Sequence, residues 1–262
     1  MIADELLVGL TRIAVTGTVV VAASLAAERV GPLVGGVVVS LPVLAGPGYV
    51  FLALTASDEF VAETALASLA VMTASAAFLT AYVIAAPRMA AFPAILIAYL
   101  AWCVAAGLVS TLTFTWWSAL AANLAALAVG RMLARPPALS RLTEVRPPTG
   151  LDLLVRALIS GTLLAIVVAI SGGVGPRATG ILMVMPVTFT SLAWIMHRRY
   201  GGAVAAATMA ASLIGMLGLV AALLGVHLMA KPLGAWWALV MALGLSLAVS
   251  ALIVVTSWRR CP

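Results

Sequence analysis

The sequence predicts an all-α fold: a polytopic membrane protein of about nine transmembrane helices, five in a first half and four in a second. An inverted internal repeat is expected to relate helices 1–3 to helices 6–8. Three observations predict this. Hydrophobic residues make up 65% of the 262-residue chain and charged residues 8%, with a mean hydropathy of +1.22, and no soluble domain can hide so much apolar surface from water. The apolar residues fall in runs of about 18 or more, the length that crosses a hydrocarbon core. Residues 11–82 also recur, without a gap, 144 positions later.

The runs place helices at 6–28, 32–55, 60–86, 91–111, 114–133, 151–171, 177–197, 202–227 and 233–257. Between the fifth and sixth lies the longest polar stretch, ARPPALSRLTEVRPPTG, whose Pro and Arg content suits a linker. The domain boundaries are therefore 1–133 for the first half, 134–150 for the linker and 151–262 for the second half. Arg29, Arg88, Arg131, Arg135, Arg141, Arg146, Arg198, Arg199, Arg259 and Arg260 collect on one face, against Arg177 and Lys231 on the other. Cytoplasmic loops carry the Lys/Arg excess, so the N-terminus is expected outside and the C-terminus and linker in the cytoplasm.

The repeat matches residues that bend or charge a helix. Arg12, Gly17, Gly31, Pro32, Gly36 and Pro42 fall on Arg156, Gly161, Gly175, Pro176, Gly180 and Pro186, and Thr64, Ser68, Leu69 and Met72 on Thr208, Ser212, Leu213 and Met216. About 17 of roughly 72 aligned positions are identical, against about 6 or 7 expected from so Ala- and Leu-rich a composition. Five spans separate the two starts, and an odd number inverts the second copy, an arrangement common in transporters. The second half is one span short, and the fourth span is expected to be the one without a partner. Trp116-Trp117 and Trp236-Trp237 each open a span and read as interfacial belts rather than repeat partners, because those two spans run in the same direction.

In the second half, a basic residue with Ala-Leu-x-Ser-Gly spans Arg156 to Gly161, and Gly-x5-Pro spans Gly180 to Pro186. This pattern resembles the GlpM-like family of small four-helix bacterial membrane proteins. Arg12, Gly17, Gly36 and Pro42 repeat it more loosely, so the chain is similar to a fused and diverged pair of such units. The resemblance implies architecture and a bacterial inner membrane, and it brings no catalytic residue or substrate.

The second and seventh spans each carry a proline near mid-length, Pro42 and Pro186. Proline removes a backbone hydrogen bond, and in lipid the freed carbonyl needs protein, water or ligand. Ser40, Thr188 and Thr190 offer hydroxyls beside these breaks; the alternative is a kink packed against neighbouring helices. Arg12 and Arg156 sit at equivalent depths near opposite faces, where they would either guard the entrances for an anion or snorkel to the interface. Asn123, mid-span in the fifth helix, reads as a ligand or an interhelical hydrogen bond. Glu63 is the coupling candidate, with an ion pair to Arg12 as its alternative. His197 and His227 fall at span ends on opposite faces and are not expected to share a metal.

The expected function is secondary or passive transport of a small anionic or amphiphilic solute, through a midplane site between the second and seventh spans. Two alternatives are carried: a non-transporting scaffold or accessory subunit of an envelope complex, and a lipid flippase or scramblase. No hydrolase, metalloenzyme or nucleotide-binding signature occurs, so neither enzymatic activity, a catalytic residue, a metal nor a cofactor is expected. The expected partners are membrane lipids, the solute and further copies of the chain, not nucleic acid; Arg residues between apolar runs orient helices.

Overall fold

The computed structural model describes residues 7, 9–11, 13–19, 21–22, 45–135 and 150–258. Among these the chain is helical, without strands. Residues 13–19 are helical, and seven further elements follow: α1 (Ala45–Thr55), α2 (Asp58–Ala85), α3 (Ala91–Ser110), α4 (Trp116–Leu133), α5 (Gly150–Met183), α6 (Val187–Leu233) and α7 (Ala235–Trp258). Four helical stretches are long and apolar enough to cross a membrane: Asp58–Ala85, Ala91–Ser110, Ala157–Leu233 and Ala235–Thr256. The protein is a membrane-embedded helical bundle.

The 77-residue stretch is not one rod. It turns at Gly175 (φ 79°, ψ 171°) and at Gly201 (φ 83°, ψ 166°), left-handed conformations that only glycine adopts without strain. At Gly175 the following Pro176 also has no N–H to continue the ladder. Between these turns the helix is interrupted at Val184–Pro186. Other helices start on side-chain caps: the Ser57 hydroxyl accepts from the Phe60 N–H at α2, and Thr115 and Ser118 form a reciprocal capping box at α4.

α2 occupies the centre, with Leu69, Phe78, Leu79 and Tyr82 fully buried, and α6 supplies Met209, Leu213 and Met216 to the same core. The two run antiparallel. Lys231 pairs with Glu59 at 2.8 Å, His227 Nδ1 bonds the Ala62 carbonyl at 2.9 Å, and Gly202 lies against Ala86. These pairings centre on Met72 and Met216. Residues 13–17 and the start of α5 also cross antiparallel: a Cβ added to Gly17 would meet Ala157 Cβ at 3.1 Å, and one added to Gly161 would meet the Ile13 carbonyl oxygen at 2.7 Å. Lipid tails are as apolar as leucine, so small residues that let backbones approach are what hold such contacts.

α3 and α7 are peripheral and bury one stripe each. In α3 the buried positions include Ala91, Ala94, Ala98, Trp102 and Ala106, and in α7 Ala235, Ala238, Ala242, Ser246 and Ser250. Their remaining faces expose Leu, Val and Ile, as lipid-facing helices do, and Trp116, Trp117, Trp236 and Trp237 are exposed at helix starts.

Candidate functional site

α5 ends at Met183 and α6 begins at Val187, with Pro186 (φ −77°, ψ 42°) as the junction. Lacking an N–H, Pro186 cannot close the turn, and local bonds tighten instead: Met185 N–H donates to Leu182 O at 3.3 Å and Val187 N–H to Met185 O at 2.7 Å. The Thr190 hydroxyl bonds the Pro186 carbonyl at 2.7 Å and the Tyr99 hydroxyl at 3.0 Å. Thr188 Oγ1 is buried and has no hydrogen-bond partner among the described residues.

A row of hydroxyls on α2 meets the broken helix. Ser68, Ser75 and Tyr82 are seven residues apart, two helical turns, and so share a face. Ser68 donates to Gly180 O at 2.9 Å, Ser75 to Val184 O at 3.2 Å and Tyr82 to Ala193 O at 3.2 Å. The row is itself supported: the Tyr49 hydroxyl donates to Ser68 Oγ at 2.8 Å, and Tyr82 also meets His197 Nδ1 at 3.0 Å. Gly180 permits the approach, since a Cβ there would sit 2.7 Å from both Ala67 Cβ and Thr64 O. The carbonyls of Gly180, Val184, Pro186 and Ala193 are thus taken up by protein hydroxyls, whereas the Thr188 hydroxyl has no bond among the described residues.

Pro186, Thr188 and Thr190 all lie at the break. Arg12, Ser40 and Pro42 lie outside the described residues, as does the side chain of Arg156. Asn123 is fully buried on α4, and its amide nitrogen donates to Leu69 O at 2.6 Å and Ala119 O at 2.9 Å. The interhelical hydrogen bond of its two sequence readings is present, and Oδ1 has no partner among the described residues. Glu63 is exposed in the second turn of α2, away from the break, and makes no hydrogen bond or ion pair among the described residues.

Ser75, Tyr82 and Tyr99 were not among the sequence-derived candidates. The available signal was the seven-residue spacing of hydroxyls along one apolar span.

No family model, no curated protein and no solved structure matches the chain.

Proposed function

We propose that the protein is a secondary or passive transporter of a small anionic or amphiphilic solute, built as an inverted repeat around the proline-broken helices. The observation that carries the reading is the crossing of residues 13–17 with α5. Gly17 meets Ala157 and Gly161 meets Ile13, and both Ile13/Ala157 and Gly17/Gly161 are 144 apart. The contact is its own mate under a two-fold operation that reverses chain direction, which is what two inverted copies require.

Two further features support the inversion. The antiparallel pairings of α2 with α6 centre on Met72 and Met216, again 144 apart, and five of the six buried positions of α3, all but Ile95, have a buried counterpart in α7 at that offset. The second stripe changes one expectation: α3 takes α7 as its partner, so the helix without a counterpart is the fifth span, α4, rather than the fourth. On this reading there are nine spans, since Gly175 and Gly201 divide the second half where the first-half numbering requires. The chain then corresponds to a fused pair of units similar to the GlpM-like proteins.

We place it in a bacterial inner membrane with the N-terminus outside. Arg88, Arg131, Arg198 and Arg199 lie toward the C-terminal end of α2, while Arg177 and Lys231 lie toward its N-terminal end, in keeping with a cytoplasmic face at the former. Rocking of one half against the other would expose the Pro186 break and its unsatisfied Thr188 hydroxyl alternately to each side.

The alternative, a non-transporting scaffold, is favoured by one observation: Ser68, Ser75 and Tyr82 already satisfy carbonyls along the broken helix. Labelling separates the two. In a background lacking Cys103 and Cys261, a cysteine at Thr188 should react with small water-soluble thiol reagents applied to either face. If it stays unlabelled from both faces in folded protein, the interior is closed and transport is discarded.

A further inference from the structure

A cavity of about 250 Å³ lies at the N-terminal end of α2, between its second and fourth turns, the α3–α4 loop and the Pro176–Arg177 turn. Two opposite charges line it, Glu63 and Arg177, over apolar walls that include Leu66, Phe114 and Ile181. The Arg177 guanidinium donates through Nη2 to the carbonyls of Ser110 and, at 2.7 Å, of Leu112. Those acceptors are neutral. They fix the guanidinium without cancelling its charge, and they leave its Nη1 and Nε donors, which point to different sides, without a partner among the described residues. Glu63 has no hydrogen-bonded or ion-paired partner there either, and Lys231, whose charge reaches it, is held by Glu59 at 2.8 Å.

We propose that this cavity binds a small zwitterion, with the ligand's ammonium group on the Glu63 carboxylate and its carboxylate or phosphate on an unpartnered N–H donor of Arg177. A pair of opposite charges lining one space but not bonded to each other selects a molecule carrying the complementary pair. An anion alone would leave Glu63 uncompensated, and a cation alone would leave Arg177 so. A free Arg177 donor can reach one oxygen of a carboxylate or phosphate in a charge-assisted hydrogen bond. The apolar walls take a short aliphatic portion. The volume is slightly below the usual range for small-molecule sites, about 300–1,000 Å³, which limits the ligand to the size of a headgroup or a small amino acid. A phosphoethanolamine lipid headgroup and a free amino acid share this chemistry. The site is separate from the Pro186 break and does not depend on transport.

The test uses the full chain purified in non-ionic detergent and titrated with three probes: free leucine, dihexanoyl phosphatidylethanolamine and dihexanoyl phosphatidylglycerol, which has the same chains but no ammonium group. At least one zwitterion is expected to bind saturably and at least tenfold more tightly than phosphatidylglycerol, and Glu63→Gln is expected to weaken it at least tenfold. Binding of leucine alone identifies a free solute as the source; binding of phosphatidylethanolamine alone identifies a lipid headgroup. The proposal is overturned if neither zwitterion saturates, if phosphatidylglycerol binds equally well, or if folded Glu63→Gln binds like the wild type. Glu63 is exposed and unbonded, so its substitution leaves the fold intact, and the probe comparison on the wild type stands without any variant.

Discussion

The Ser75 hydroxyl donates to the main-chain carbonyl of Val184, 3.2 Å away, two residues before the proline that breaks the helix. Both groups are buried. In lipid, a main-chain carbonyl released from its helix has no water to turn to, so this bond is part of what allows Pro186 to sit mid-span.

Removing it should therefore cost more than a methyl-sized packing change. Ser75→Ala is expected to lower stability by about 1 kcal/mol, the usual value of a bond whose loss strands a buried acceptor. Thermal unfolding in detergent measures this; a variant as stable as the parent would mean that Val184 O is satisfied in another way.

Two glycines should respond oppositely to alanine. A Cβ at Gly202 would sit 1.9 Å from the Ala86 carbonyl oxygen, a backbone atom that cannot step aside, whereas Gly107 in α3 has nothing within 4 Å. Gly202→Ala should sharply reduce the yield of folded protein. Gly107→Ala should stabilise by about 0.5–1 kcal/mol through helix propensity. Yield and melting temperature of the two variants decide it.

Asn123 joins α4 to α2 through Leu69 O. Asn123→Ala is expected to cost about 1 kcal/mol of stability while leaving the two-sided labelling of a cysteine at Thr188 unchanged. Loss of labelling without loss of stability would make Asn123 part of the site instead of the packing.

Asp58 caps a helix other than its own: its Oδ1 accepts from the Ala235 N–H at 2.8 Å, where α7 starts after Gly234. Asp58→Ala should cost about 1 kcal/mol, as lost helix caps do, and Asp58→Asn, which keeps an acceptor oxygen, should recover most of it. Equal losses in both variants would point to charge and not capping.

Much of the fold is legible in the chain because lipid imposes a length on every apolar run. The runs at 60–86, 91–111, 114–133 and 233–257 anticipate α2, α3, α4 and α7 to within about two residues, the usual uncertainty of helix ends. Gly175-Pro176 marks a break because that dipeptide cannot continue a helix. The proposed match of α3 to α7 has no clear sequence signal, because its identities, such as Ala91 with Ala235 and Ala98 with Ala242, look like background in an alanine-rich sequence. Only burial makes them a stripe. The site was half legible. Pro186, Thr188 and Thr190 follow from their spacing on one chain segment, but Ser75 and Tyr99 reach the break from other helices, and that register depends on packing. The clamp of Arg177 on the α3–α4 loop has no local sequence signal.

The proposed inversion of the two halves requires that helix-end residues 144 apart lie on opposite faces of the membrane. Pro87 and Lys231 are such a pair, and both are exposed. Single cysteines at these positions, in a chain lacking Cys103 and Cys261, can be treated with a membrane-impermeant thiol reagent in sealed vesicles of known orientation. Inversion predicts that the Lys231 position labels only from the outside and the Pro87 position only from the cytoplasmic side. Labelling of both from the same side would contradict the inverted repeat, and with it the transporter built on it.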